Sequence, residues 1–305
     1  MRISVAHIGF WVIFSVATLT STCQQLNISQ NTHFNLFNEN RAFAGNYDAT
    51  HFTAEYFKMW NINGAPESFS FSAHTPISAE RMGMGISANR TGIGAHEEIS
   101  FKGTFAYKLP LRTGRLGFGL TAGFTQYNFN SNSLEALDPD DELIFFSGLS
   151  GSVLDFDFSA VYTNNLNYLG LEINQLSQSA WNLNETDNSS QKLHFKLVGG
   201  HVFKLANKDF IRSSLHVRSA NAIRPQADLM AAYFYKKKLW LGAGFRTGYG
   251  ALFSLEVNFT RRLQAGYFGA MPLNSEVTWL TPSHSVFIGY MLPSEASKAP
   301  SIRNF

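Results

Sequence analysis

Leu116-Gly117-Phe118-Gly119-Leu120-Thr121-Ala122-Gly123-Phe124-Thr125 is the stretch on which the fold turns. Its bulkier apolar residues fall on every second position, with glycine or threonine between them. Successive side chains of a β-strand point to opposite faces, so this spacing predicts a strand with one apolar face and one small or polar face. The same period governs segments on both sides. Phe69, Phe71 and Ala73 alternate with Ser68, Ser70, Ser72 and His74, and Phe101, Phe105 and Tyr107 with Ser100, Lys102 and Thr104. Leu154, Phe156, Phe158 and Ala160 oppose Asp155, Asp157 and Ser159; Ala251, Phe253, Leu255, Val257 and Phe259 oppose Leu252, Ser254, Glu256, Asn258 and Thr260. No helical stripe of comparable length competes.

About fourteen such segments run through residues 48–59, 66–75, 81–90, 97–108, 114–127, 153–163, 166–176, 191–205, 208–218, 224–236, 238–247, 250–260, 261–271 and 283–292. The number is even, as in bacterial single-chain barrels, where short periplasmic turns alternate with longer external loops. Counted from a periplasmic N-terminus, the long connections 128–152, 177–190 and 272–282 follow the fifth, seventh and thirteenth segments, so all lie on one side. Short turns follow the even-numbered segments, among them Asn164-Asn165, Ala206-Asn207 and Thr260-Arg261. A soluble sandwich has no reason to keep that parity. The expected fold is therefore all-β, a transmembrane antiparallel up-and-down barrel in the outer membrane.

Composition agrees. Charged residues make up 15% of the 305 and aromatics 14%, with 28 Phe and 11 Tyr, whereas an average soluble domain carries roughly 25% charged residues. A wall that faces lipid on one side and water on the other needs that mixture. The formal net charge of +2 comes without a basic run, which argues against nucleic acid as a partner.

Residues 1–23 read as a signal peptide: Arg2 is followed by a largely apolar run from Val5 to Leu19 and a small, weakly polar end, with cleavage expected after Cys23. A lipoprotein site would keep Cys23, but Thr20 and Thr22 stand where it wants leucine and a small residue. Cys23 is the sole cysteine, so a mature chain without it has no thiol chemistry. Beyond it the expected parts are an N-terminal periplasmic segment (24–47), the barrel (48–292) and a polar tail (293–305). No later segment has the ~18 uninterrupted apolar residues of a membrane helix.

The chemical motifs are thin. Gly117-x-Gly119-x-x-Ala122 fits a loose dinucleotide pattern but lies inside a strand, where small lumen-facing residues explain it. Asp138-Pro139-Asp140-Asp141-Glu142 is acidic but lacks the alternating ligands and glycine of a calcium loop. The nine histidines show no zinc spacing, and there is no Gly-x-Ser-x-Gly elbow. The expectation is a protein without enzymatic activity, cofactor or metal. Charges assigned to the lumen are Glu55, Lys102, Asp155, Asp157, Glu172, Arg212, Arg218, Asp228, Arg246 and Glu256. Their mixed signs predict a salt-bridged, partly filled interior.

Several motifs, in order along the chain, are similar to those of one family of membrane proteins. Gln24-Gln25-Leu26 looks like that family's mature start. Asn40-Arg41-Ala42-Phe43-Ala44-Gly45 is similar to its Asn-Pro-Ala-Tyr-Ala-Gly, with Arg41 in place of proline. Trp60-Asn61-Ile62-Asn63-Gly64-Ala65-Pro66 resembles Trp-x-x-x-x-Gly-Ala-Pro, followed by His74-Thr75-Pro76. Leu239-Trp240-Leu241-Gly242-Ala243-Gly244-Phe245-Arg246 is similar to a Trp-x-Gly-x-Ser-x-Arg strand, and Ser283-His284-Ser285-Val286 to Ser-His-Glu-Ile. Together these motifs resemble the PorP/SprF family of type IX secretion and gliding-motility membrane proteins of Bacteroidota. The resemblance implies a barrel that serves protein export or gliding, or that attaches a large secreted adhesin. Its partners would be outer-membrane lipid, periplasmic ring or peptidoglycan-binding components, and the adhesin. It marks Trp60, Gly64, Ala65, Pro66, His74, Pro76, Gly242, Arg246 and His284 as motif residues and candidate partner contacts. A porin or transporter for small molecules is the alternative, weakened by the mixed interior charges and by long loops expected to plug the lumen.

Overall fold

The computed structural model describes residues 34–46, 49–78, 81–129, 149–182, 188–206, 209–220, 224–236, 238–273 and 282–293. Fourteen strands form a closed barrel: β1 (Ala49–Lys58), β2 (Glu67–Ser78), β3 (Met82–Ile93), β4 (His96–Leu111), β5 (Gly114–Phe129), β6 (Leu149–Thr163), β7 (Asn167–Asn174), β10 (His194–Lys204), β11 (Phe210–Ala220), β12 (Gln226–Tyr235), β13 (Leu239–Arg246), β14 (Gly250–Asn258), β15 (Leu263–Pro272) and β16 (Ser283–Pro293). Every neighbouring pair is antiparallel, and β1 closes on β16 from Ala49↔Pro293 to Lys58↔His284. Closure leaves no edge strand, the condition for carrying backbone polar groups through hydrocarbon, where an unpaired N–H or C=O costs several kcal/mol.

Each of the fourteen expected segments is a barrel strand. The alternation has the polarity of a membrane barrel: Leu120 is 63% exposed on the outside and Thr121 3% exposed on the inside, Leu154 64% and Asp155 1%. A soluble protein would bury the leucines, because apolar area left in water costs about 25 cal/mol per Å². All ten charges assigned to the lumen lie inside.

The connections sort by end as expected. At one end, termed the turn end, β4–β5 and β6–β7 join by tight turns, and Asn164 Oδ1 accepts the N–H groups of Leu166 and Asn167. At the other, the loop end, lie the long connections. Much of 128–152, the acidic run 138–142, most of 272–282, the signal peptide and nearly all of the tail fall outside the described residues. The connection after β7 carries a feature the alternation did not announce, a small hairpin of β8 (Ala180–Asn182) and β9 (Asn188–Ser190).

A second departure matters more. The segment 24–47 was expected in the periplasm, with loops filling the lumen. Its described part, residues 34–46, instead packs inside the barrel. It forms a single helical turn, α1 (Leu36–Glu39), followed by a 3₁₀ turn (Arg41–Phe43). Asn35 caps the first by accepting from Asn38 N–H, and Asn40 caps the second by accepting from Ala42 N–H, each satisfying a donor the short helix leaves open. The segment is buried because its apolar side chains complete clusters begun by the wall. Leu36 and Phe43 pack with Val161, Tyr168 and Val198, Phe34 with Ala232, Trp240 and Phe287, and Phe37 and Ala44 with Ala106.

Candidate functional site

The most constructed place in this molecule is the contact between that inserted segment, the plug, and the inner wall. Glycines make room for it. A Cβ built at Gly83 would lie 2.2 Å from the Ala44 carbonyl oxygen, one at Gly119 2.8 Å from the Ala42 nitrogen, and one at Gly117 3.2 Å from the Ala42 oxygen. At Gly170 it would meet Asn40 Nδ2 at 2.8 Å, and at Gly85 the Phe37 ring at 2.4 Å. Five lumen-facing glycines of β3, β5 and β7 therefore form a track: Gly83, Gly117 and Gly119 take the plug backbone at residues 41–45, and Gly85 and Gly170 take the side chains of Phe37 and Asn40, a use of strand glycine that trades side-chain packing for close approach.

Hydrogen bonds fix the register. Asn40 Nδ2 donates to the carbonyls of Ala160 (3.2 Å) and Leu171 (2.9 Å), and Arg41 N–H donates to Glu172 Oε2 at 2.6 Å. Lys196 Nζ donates to the Asn38 carbonyl at 3.2 Å, and Asn35 Nδ2 to Ser72 Oγ at 2.9 Å. Where the plug leaves the lumen, Gly45 N–H donates to His74 Nδ1 at 3.2 Å. Gly45 has φ +62°, and a Cβ there would lie 2.8 Å from Gly83 Cα and from the Thr75 carbonyl oxygen, so the position requires glycine on both counts.

Charge joins the plug to the opposite wall. Glu39 Oε2 lies 3.7 Å from Arg218 Nη2 and 3.7 Å from His216 Nδ1. Arg218 also reaches Asp228 Oδ2 at 3.2 Å, while Arg246 grips both Asp228 oxygens, Nε to Oδ1 and Nη2 to Oδ2, at 2.8 Å each. Burial alone would raise the Glu39 carboxyl, but Arg218, with His216 and Lys196 behind it, outweighs that and holds it well below the usual carboxylate range. Arg212 stacks its guanidinium on the rings of Phe34 and Trp240, 5.2 and 4.7 Å from their centroids.

With this geometry in place, comparison with known proteins is decisive at one point. The family description "Type IX secretion system membrane protein PorP/SprF" matches residues 20–290. The chain belongs to the PorP/SprF family. It is an outer-membrane barrel component of type IX secretion. No curated protein matches the chain. Among solved structures, the P. putida toluene transporter TodX aligns at 9% identity over 92% of this chain and 97% of its own, with a TM-score of 0.49. The Acinetobacter baumannii outer membrane protein Omp33 aligns at 10% identity over 81% and 98%, with a TM-score of 0.46. A Pseudomonas aeruginosa FadL homologue aligns at 10% over 80% and 89%, with 0.43. At such identities, no cargo passes from these proteins to this one.

The PorP/SprF motif residues do not converge on one site; they fall in separate places. Asn40–Gly45 is the plug itself, and His74 and Pro76 stand at its exit, Pro76 Cα lying 2.9 Å from a Cβ built at Gly45. Trp60, Gly64, Ala65 and Pro66 lie at the loop end. There Trp60 Nε1 donates to Tyr249 OH at 3.3 Å across the mouth, Gly64 accepts Gly94 N–H at 3.0 Å, and Pro66 accepts Met59 N–H at 2.7 Å. Arg246 belongs to the Asp228 network, and Gly242 faces inward beside Ser254. His284 points outward and bonds Tyr267 OH. Sequence reading missed the plug as a site, together with Glu39 and His216. The available signal was the run of lumen-facing glycines at 83, 85, 117 and 119, which a strand does not need for its own sake.

Proposed function

We propose that this protein is a non-enzymatic outer-membrane component of the type IX secretion or gliding machinery. On this reading it docks other machinery proteins, or holds an exported adhesin, through its loop-end rim. The barrel acts as a closed scaffold rather than as the conduit. The observation that carries the reading is the plug: residues 34–45 are seated in the lumen by apolar packing, hydrogen bonds and an ion pair, in a chain whose family serves export. The motif loop Trp60–Pro66, tied across the mouth to Tyr249, is the part of the rim offered to partners. Crosslinking and mass spectrometry in native cells test the proposal, with a type IX component or an adhesin expected among the partners of the loop-end residues. Absence of any such partner, together with normal secretion in a deletion strain, would overturn it. Steady ion currents from the purified protein in planar bilayers would instead favour the small-molecule porin.

A further inference from the structure

We infer that the lumen holds a binding site for a guanidinium or ammonium group, in the chamber on the loop-end side of the plug. This goes beyond the proposed export role and stands independently of it. The chamber encloses about 110 Å³, several times the space one water needs. Six acidic and four basic side chains line it, a formal surplus of two negative charges. A cluster of acids alone says little, since a solvated lumen tolerates them; the hydrogen bonding is more specific.

Asp155 is 1% exposed and gives Oδ2 to the Lys102 ammonium, while its Oδ1 has no side-chain donor among the described residues. Asn174 is 8% exposed; its Nδ2 donates to Glu172 Oε1 at 2.7 Å, which fixes the amide's orientation, and its Oδ1 likewise has no donor among the described residues. Both side chains line the chamber. They are near neighbours, because β6 and β7 pair at Phe158↔Ile173, which sets Asn174 beside Asp157, two residues from Asp155 on the same face. Asp157 has no capacity to spare in the same way: Oδ1 accepts Gln175 N–H at 2.9 Å and Oδ2 accepts Lys102 at 2.9 Å. The remaining acceptors share one polarity. A buried acceptor without a donor is costly, and the complement of two such oxygens in a negative chamber is a cation with several N–H groups. A guanidinium supplies five in a rigid fork and an ammonium three.

The source is either a basic side chain of a polypeptide or a free amine, and the test separates them. Full-length protein in detergent is titrated calorimetrically with an end-blocked Gly-Gly-Arg-Gly-Gly peptide, with its citrulline counterpart, and with agmatine. One arginine peptide per barrel is expected to bind and the neutral citrulline peptide is not. Binding of agmatine as well would identify a site open to free amines, and its exclusion a site for polypeptide; either outcome supports the inference. Asp155→Ala should weaken the arginine peptide about tenfold or more, and Asn174→Asp, which adds charge while keeping the acceptor, should tighten it severalfold. A tighter variant cannot arise from misfolding. Equal binding of arginine and citrulline peptides, no binding of either, or indifference to both substitutions would overturn the inference and leave water as the occupant.

Discussion

Replacing Gly83 and Gly119 together by alanine should expel the plug and spare the barrel. The Gly83 methyl would sit 2.2 Å from the Ala44 oxygen and the Gly119 methyl 2.8 Å from the Ala42 nitrogen. Ordinary contact begins near 3.4 Å, so the plug backbone would have to withdraw by about 1 Å at the first position and about half that at the second. At Gly83 the obstacle is backbone, which cannot rotate away; at Gly119 the methyl also meets the Ser159 hydroxyl of the wall at 2.4 Å, which can turn aside and leave the plug backbone in its path. Overpacking of this kind costs typically 1–3 kcal/mol per site. Because both methyls press on one segment, they do not add as independent sites do. A combined penalty of about 3–4 kcal/mol shifts docking by roughly a hundredfold to a thousandfold. The wall gains from the same change, since alanine loses less chain entropy than glycine in a strand.

The two effects thus have opposite signs. Hydrogen exchange is the assay: amides of residues 36–44 should lose protection while strand amides keep theirs, and the barrel should melt no earlier than before. Gly103→Ala is the control, because its methyl would meet only the Ala122 oxygen at 3.9 Å. Unchanged plug protection in the double variant, with the barrel intact, would refute the reasoning; so would equal loosening by the control.

Four further outcomes are expected. Glu39→Gln leaves Arg218 and Arg246 with Asp228 as their remaining acid in this network. Breaking a buried pair from one side costs about 3–5 kcal/mol, and with Asp228 still present about 2 is expected, read as faster exchange in residues 36–44. Because the folded Glu39 carboxyl lies below its unfolded value of about 4.3, its contribution is complete above that pH and fades only in stronger acid. Plug protection should therefore hold at pH 5, and a loss between pH 7 and 5 would contradict the assignment. Arg41→Pro should loosen the plug by about 1.5–3 kcal/mol, the worth of a hydrogen bond to a charged acceptor, read by the same exchange. Leu120→Arg sets a charge on the lipid face and should cost about 2–4 kcal/mol if it lies near the bilayer midplane, measured by urea unfolding from lipid vesicles; no loss there would count against the membrane placement.

How much of this was legible in the sequence depends on the kind of interaction. Alternation is written in consecutive residues, so Leu116–Thr125 announces a strand and the parity of the connections announces which end each strand meets. The lumen charges were legible for the same reason: Asp155, Asp228 and Arg246 occupy inward positions of a known period. Their partnerships were not, because Asp228 meets Arg246 across β12 and β13 but meets Arg218 across β11 and β12, and register is settled only in three dimensions. The plug was harder still. Phe34, Leu36, Phe37 and Phe43 keep neither a strand nor a helix period, because a segment enclosed on all sides has no exposed face to alternate with. The hairpin β8–β9 pairs three residues on each side, too few to stand out.

The glycine track also explains why Asn40-Arg41-Ala42-Phe43-Ala44-Gly45 is tied to this barrel rather than to any other lumen. Each position answers something on the wall. Asn40 spans two strand carbonyls, Ala42 and Ala44 are small where β5 and β3 approach, Phe43 meets Tyr168 edge-on at 5.8 Å, and Gly45 turns where His74 accepts its N–H. Arg41 is the position at which this chain departs from the proline its family resemblance leads one to expect. The backbone there suits proline: Asn40 is extended, at φ −152° and ψ 116°, and Arg41 opens a helical turn. Proline brings no N–H, whereas Arg41 N–H donates to Glu172 at 2.6 Å. An acid buried at 1% exposure opposite a proline would lose that donor. Arg41 and Glu172 therefore form a matched pair, and Arg41→Pro combined with Glu172→Gln should recover part of the stability that Arg41→Pro loses alone. Without that recovery, the pairing would be incidental to how the plug is held.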